Sequence, residues 1–147
     1  MSRNYTANFV HSILSTKDRR DTIPPELRER LWAYLGGITK KLDCDLLAVG
    51  GTANHVHILL ELRPMATLAV TIQKLKANSS RWLGEQDVTF EWQKGYGAFS
   101  VRPSMLATVK AYIRGQAEHH RRRNFEEEFL MLLQKSGIAF DRDRPFV

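Results

Sequence analysis

Residues 45–62 read DLLAVGGTANHVHILLEL, and the fold turns on how this stretch is divided. Residues 45–49 (DLLAV) read as a strand, Gly50-Gly51 reads as a turn, and HVHILLEL over 55–62 fits another strand. Upstream, residues 8–15 (NFVHSILS) are apolar and β-branched enough for a strand that ends at the polar STKDRR. Between the two, Thr22-Ile-Pro-Pro opens a helix, with proline in the first turn and Glu26 near the N-terminus. Leu27, Leu31, Leu35 and Ile38 recur at helical spacing over 26–42.

Downstream, Pro64 ends the strand and a second helix covers 68–83, with Val70, Ile72, Leu75 and Trp82 among its apolar positions. Residues 90–92 and 96–101 supply a fourth strand, broken by a turn at Lys94-Gly95. Ser104 is the expected N-cap of a third helix reaching about residue 122. Residues 125–136 form a final amphipathic helix stopped by Gly137. The order β-α-β-β-α-β-α-α predicts an α+β, ferredoxin-like (split βαβ) antiparallel sheet with helices on one face and added C-terminal helices. Such a fold hosts many functions, so the site must decide.

The 147 residues fit one domain, 1–147, large enough to bury roughly 68–70% of the unfolded surface. No run approaches the ~20 apolar residues of a membrane helix, and the N-terminus lacks the pattern of a signal peptide. Cys44 is the sole cysteine, which excludes an intramolecular disulfide and a cysteine-based zinc finger. A cytoplasmic location is the simplest expectation. The net charge of +6 favours a polyanionic partner. Its cations cluster as Lys17, Arg19 and Arg20; Lys74, Lys76 and Arg81; and Arg121, Arg122 and Arg123. Any one cluster reads equally well as a solvated patch.

His55 and His57 stand two apart on a predicted strand, so both imidazoles project from one face while Val56 enters the opposite layer. Two adjacent imidazoles can hold one divalent metal, although most such pairs on strands do not. Tyr112 and Gln116 are four residues apart on the predicted third helix and share one face. Taken alone, that spacing fits a boundary tyrosine beside a surface glutamine. The company of Lys110, Arg114 and the 121–123 arginines is unusual for a structural ring.

The segments NHVHILL (54–60), WQKGYGAFSV (92–101) and VKAYIRGQAEHH (109–120) together resemble the single-tyrosine HUH transposases of bacterial insertion sequences and their repeat-associated relatives. The resemblance covers nearly the whole chain in order, and the tail DRDRPFV matches less clearly. It implies a complete transposase that cleaves and rejoins single-stranded DNA at hairpin-marked element ends through a 5′-phosphotyrosine. It further implies that His55, His57 and the Gln116 oxygen bind the metal, Mg2+ or Mn2+, and that Tyr112 is the nucleophile. A homodimer is expected, with the tyrosine helix able to act in trans. For DNA backbone contacts the candidates are Lys17, Arg20, Lys74, Lys76, Arg81, Arg121 and Arg122.

Other residues carry weaker readings. His11 is expected as a hydrogen-bonded structural histidine, and Phe99 as core packing, while Tyr96 could stack on a base. His119 and His120 fit either phosphate contact or a solvated helix end. Asp45 and Glu61 could support the histidines from behind, with a surface role the simpler reading. Two competing functions remain open from sequence: a non-catalytic ferredoxin-like nucleic-acid module, and an HUH replication or relaxase nickase. A mobile transposase is not separable from a domesticated one.

Overall fold

The computed structural model describes residues 3–120 and 123–141. Four strands form one antiparallel sheet in the order β2-β3-β1-β4: β1 Phe9–Ser15, β2 Cys44–Gly51, β3 His55–Leu62 and β4 Gly97–Val101. Helix α1 (Arg28–Lys40) links β1 to β2, and α2 (Leu68–Glu85) links β3 to β4. Helices α3 (Leu106–Arg114), α4 (Gln116–His119) and α5 (Phe125–Lys135) follow. This is the expected split βαβ fold with additional C-terminal helices.

Strand alternation divides β3 between two layers. Val56, Ile58, Leu60 and Leu62 enter the main core with Leu31 and Leu35 of α1 and Ile72, Leu75 and Leu83 of α2. Leu59 faces the other side, where it packs with Ala48 and with Ile113 of α3. His55 and His57 share that second face, and both are fully buried. One helical layer therefore supplies most of the core, while the other covers the histidines.

Several local readings need correction. Gly50 and Gly51 are not the turn: they end β2, paired with His57 and Val56, and the chain reverses over 52–54 instead. A Cβ on Gly50 would lie 2.1 Å from the Ile113 carbonyl oxygen, so glycine here is what lets the α3 backbone press onto the sheet. Residues 90–92 supply a single bridge, Trp92 to Thr16, rather than part of a strand. Ser104 does not cap α3; it lies within the 3-10 turn Pro103–Met105, and the Met105 cap makes no side-chain bond. The helix expected to run on to 122 is interrupted at Gly115, whose backbone (φ −90, ψ 17) departs from helical values. Val70 is exposed and Trp82 only partly buried, since the buried stripe of α2 runs through Thr71, Ile72, Leu75, Ser79 and Leu83. Gly137 takes a positive φ of 67 just beyond α5, as a helix stop requires.

Gly50→Ala is expected to lose about 1–3 kcal/mol of stability, because a backbone carbonyl cannot rotate out of the way as a side chain can. Chemical denaturation measures this, and a wild-type midpoint would show that α3 does not depend on the close approach.

Candidate functional site

The second face of the sheet gathers His11 from β1 and His55 and His57 from β3. Tyr112 comes from α3, and Gln116 and His120 come from α4 and its C-terminal end. Gly115 interrupts regular geometry, yet the Gly115 N–H still bonds the Ala111 carbonyl and His120 N–H bonds the Gln116 carbonyl. Tyr112 and Gln116 therefore stay one turn apart and face the histidines together. Within this chain the Tyr112 and His57 ring centroids are 5.7 Å apart.

A carboxylate that sequence reading missed lies at the centre. Glu128, on α5, is 2% exposed, while Glu126 and Glu127 on the same helix face outward. Its Oε1 lies 2.9 Å from His57 Nε2 and 3.1 Å from His120 Nε2. Its Oε2 accepts from Gln116 Nε2 at 3.2 Å and from the Tyr112 hydroxyl. The missed signal was its position: Glu128 falls three residues after Phe125 and four before Leu132, on the apolar stripe of an amphipathic helix. A carboxylate there must find partners or meet a penalty of several kcal/mol.

Electrostatics follow from burial. Desolvation, then the neighbouring His57, pulls His55 down to about 3, and desolvation with the same neighbour pulls His11 to about 3. His57 is likewise lowered by burial. The rings are thus neutral and keep a lone pair. Burial would raise Glu128, but hydrogen bonds from His120 and His57 outweigh it and hold its carboxyl well below the usual carboxylate range. Burial, followed by the Glu128 hydrogen bond and charge, pushes the Tyr112 phenol above its ordinary value. As placed, the phenol rests protonated.

The hydrogen-bond pattern has one mismatch. Gln116 spends its amide donors on Glu128 Oε2 and, at 3.4 Å, on the Tyr112 carbonyl, which leaves Oε1 as an acceptor. His55 Nδ1 lies 2.8 Å from Asn54 Oδ1, so that nitrogen donates and Nε2 carries the lone pair. Yet His55 Nε2 sits 3.0 Å from Gln116 Oε1, acceptor against acceptor. A cation between them resolves the conflict. On the far side of His57, Nδ1 lies 2.7 Å from His11 Nε2, so His11 can accept a proton there and leave His57 Nε2 bare. The ligating atoms of His55, His57 and Glu128 all lie within 4.8 Å of one another. The residues fit a divalent ion.

The family model described as "Transposase IS200 like" matches residues 4–116. The chain belongs to the IS200-like transposase family. The IS200 transposases of Salmonella typhimurium LT2 and Salmonella typhi are each 28% identical over 116 residues, covering 74% of this chain and 76% of theirs. Among solved structures, a chain described as a transposase of Deinococcus radiodurans R1 superposes with TM-score 0.61 at 23% identity, covering 77% of this chain and 94% of that one. A REP-associated tyrosine transposase bound to a REP hairpin superposes with TM-score 0.58 at 14% identity, covering 77% and 68%. At those identities the two structures speak to the fold. The matched IS200-like region ends at Gln116, so it includes both histidines and Tyr112 but not Glu128.

The remaining candidates fall in several places. Lys74 and Arg81 line a groove of about 530 Å³ beside Tyr34 and Lys41, on the α1–α2 layer across the sheet from the histidines. The Lys76 ammonium donates to the carbonyls of Gln93 and Gly95, which ties the loop before β4 to α2. Lys17 pairs with Glu91 at 2.8 Å, and Arg20 with Asp18 at 3.5 Å. Arg121 and Arg122 lie outside the described residues. Asp45 does not back the histidines; it binds Arg63 at 2.7 Å, and Glu61 pairs with it at the far end of β3. Tyr96 is exposed, and Phe99 packs near the His11 ring. His119 and His120 both line a cleft of about 550 Å³ that opens onto Tyr112 and Glu128. No described helix is long and apolar enough to cross a membrane.

Proposed function

We propose that this chain cleaves and rejoins single-stranded DNA by attack of Tyr112 on a backbone phosphate, with a divalent cation held by His55, His57 and the Gln116 oxygen. The observation that carries this reading is the convergence of one phenol, one amide oxygen and two neutral imidazoles on one face of the sheet, with the phenol lining the cleft. Membership in a transposase family supports DNA as the substrate. The hairpin carried by the REP-associated relative supports a structured single strand as the partner.

The phenol needs help. With an ordinary pKa near 10, only about one tyrosine in a thousand is ionised at pH 7, and burial lowers that fraction further. A bound Mg2+ or Mn2+ would supply positive charge to a non-bridging phosphate oxygen and to the phenolate. In the reaction the Tyr112 oxygen forms a bond to phosphorus as the bond to the 3′-oxygen breaks. The phenol proton leaves along its existing hydrogen bond to Glu128 Oε2 and passes from there to solvent. The departing 3′-oxygen takes a proton from solvent. The 5′-phosphotyrosine conserves the phosphodiester energy, so a hydroxyl from another DNA end reverses the step without a nucleotide cofactor.

Moving an element means handling two ends, and each chain carries one such tyrosine, so a homodimer is the proposed working unit. The reading is tested by incubating the full chain with labelled hairpin-bearing single-stranded DNA and Mn2+, then denaturing. A covalent protein–DNA band is expected; its absence over a panel of hairpins, with binding intact, would overturn the proposal.

The basic groove on α1 and α2 is the proposed backbone contact. Lys74→Ala combined with Arg81→Ala is expected to weaken hairpin binding alike for all sequences and to reduce the salt slope of log K by roughly 1.4 to 1.8. An unchanged slope would place the DNA elsewhere.

A further inference from the structure

We infer that Glu128 is itself a ligand of the metal, so that helix α5 is part of the metal centre and not merely a cover over it. The inference rests on the metal reading proposed above and extends it to a residue beyond the region matched by the transposase family.

Three observations lead there. The first is convergence. Adjacent ligands of an octahedral ion with bonds near 2.1 Å stand roughly 3.0 Å apart. Glu128 Oε1 lies 2.9 Å from His57 Nε2 and 3.7 Å from His55 Nε2, while Gln116 Oε1 lies 3.0 Å from His55 Nε2. Glu128 thus stands at the spacing of a ligand, on the same side as the glutamine oxygen.

The second is the division of labour between its two oxygens. Oε2 faces conventional donors, the Tyr112 hydroxyl and the Gln116 amide. Oε1 faces ring nitrogens only, those of His57 and His120 with His55 beyond. With His57 Nδ1 bonded to His11, either tautomer is open at that ring; the one that binds metal leaves Oε1 facing a bare nitrogen. A carboxylate oxygen and an imidazole lone pair share a cation readily and repel without one.

The third is chemical. Two imidazoles and one amide bring no negative charge to a divalent ion, and magnesium and manganese both favour oxygen ligands. One buried carboxylate supplies the charge. It also links the ion to the nucleophile through a single side chain, because the other oxygen holds the Tyr112 hydroxyl.

The test uses the full chain, without DNA, titrated with Mn2+ and followed by calorimetry and electron paramagnetic resonance. Wild type, His57→Ala, Glu128→Gln and Glu128→Ala are compared, with amide hydrogen exchange over α5 read for wild type and the Glu128 variants. Glu128→Ala should weaken Mn2+ binding at least about tenfold, since even groups that only orient a ligand cost that much. Glu128→Gln, which keeps the shape and an oxygen but no charge, should fall between. In wild type, Mn2+ should slow exchange along α5, and in Glu128→Ala it should not.

A merely hydrogen-bonded Glu128 predicts the opposite sign. Metal would then take His57 Nε2 away from it and leave α5 less protected. If wild type binds Mn2+ and His57→Ala does not, yet Glu128→Ala and Glu128→Gln bind as wild type, the Glu128 assignment alone fails. If His57→Ala binds as tightly as wild type, or wild type binds no Mn2+, the metal reading beneath it fails.

Discussion

Tyr112→Phe should bind hairpin DNA as wild type does and form no covalent adduct. The substitution removes one oxygen from a half-buried ring and leaves its packing against His57 and His119 in place. Nothing else of this chemistry lies in the same position, because the described ring neighbours of Tyr112 are the imidazoles of His11, His57 and His119. A loss of at least about a thousandfold in cleavage corresponds to roughly 4 kcal/mol of barrier. Stability should fall only modestly, since Glu128 Oε2 loses the hydroxyl but keeps the Gln116 amide as a donor. The assay separates denaturation-resistant protein–DNA complexes from free strand, with binding measured in parallel. An adduct of undiminished yield from Tyr112→Phe would remove this residue from the reaction.

His57→Ala carries the second large effect. His57 is fully buried between His11 Nε2 at 2.7 Å and Glu128 Oε1 at 2.9 Å. Removing the ring takes away one nitrogen of the proposed metal site. It also strips both neighbours of a partner, which should cost about 1–3 kcal/mol of stability as buried polar groups go unpaired. Covalent adduct should vanish at Mn2+ concentrations that saturate wild type, while hairpin binding stays within a few fold. Chelation of the wild-type protein should reproduce the loss, and added Mn2+ should reverse it. Full adduct formation by a folded His57→Ala protein in chelator would reject a metal-assisted reaction at these histidines.

The two variants differ in what they test. Tyr112→Phe removes the atom that forms the bond and leaves the surrounding network nearly intact. His57→Ala leaves the phenol in place and dismantles the pocket that would make it reactive. If Tyr112→Phe alone abolished the adduct, the tyrosine would act without a metal at these histidines. If His57→Ala alone abolished it, the metal would act with another nucleophile.

Much of this was legible because it is local. Strand alternation in residues 55–62 alone puts two imidazoles on one face and Val56 in the core, and the structure bears this out with all three fully buried. The i, i+4 spacing places Tyr112 and Gln116 together, and it survives the interruption at Gly115 because neighbouring backbone bonds persist. The glycine pair was misread because Gly-Gly is a common turn signal. At Gly50 the demand comes instead from the Ile113 carbonyl, which is distant in sequence. Ser104 failed as a cap for a similar reason: Pro103 starts a 3-10 turn that begins the helix its own way.

Glu128 marks the boundary. Its neighbours Glu126 and Glu127 carry the same side chain, and nothing in composition distinguishes a solvated glutamate from a buried one. Local periodicity determined the sheet, the paired histidines and the tyrosine helix, because alternation and helical pitch act between residues a few positions apart. Only the packed fold decided which of three consecutive carboxylates turns inward, because burying a charge depends on donors supplied by β3, α3 and α4, all brought together from elsewhere in the chain.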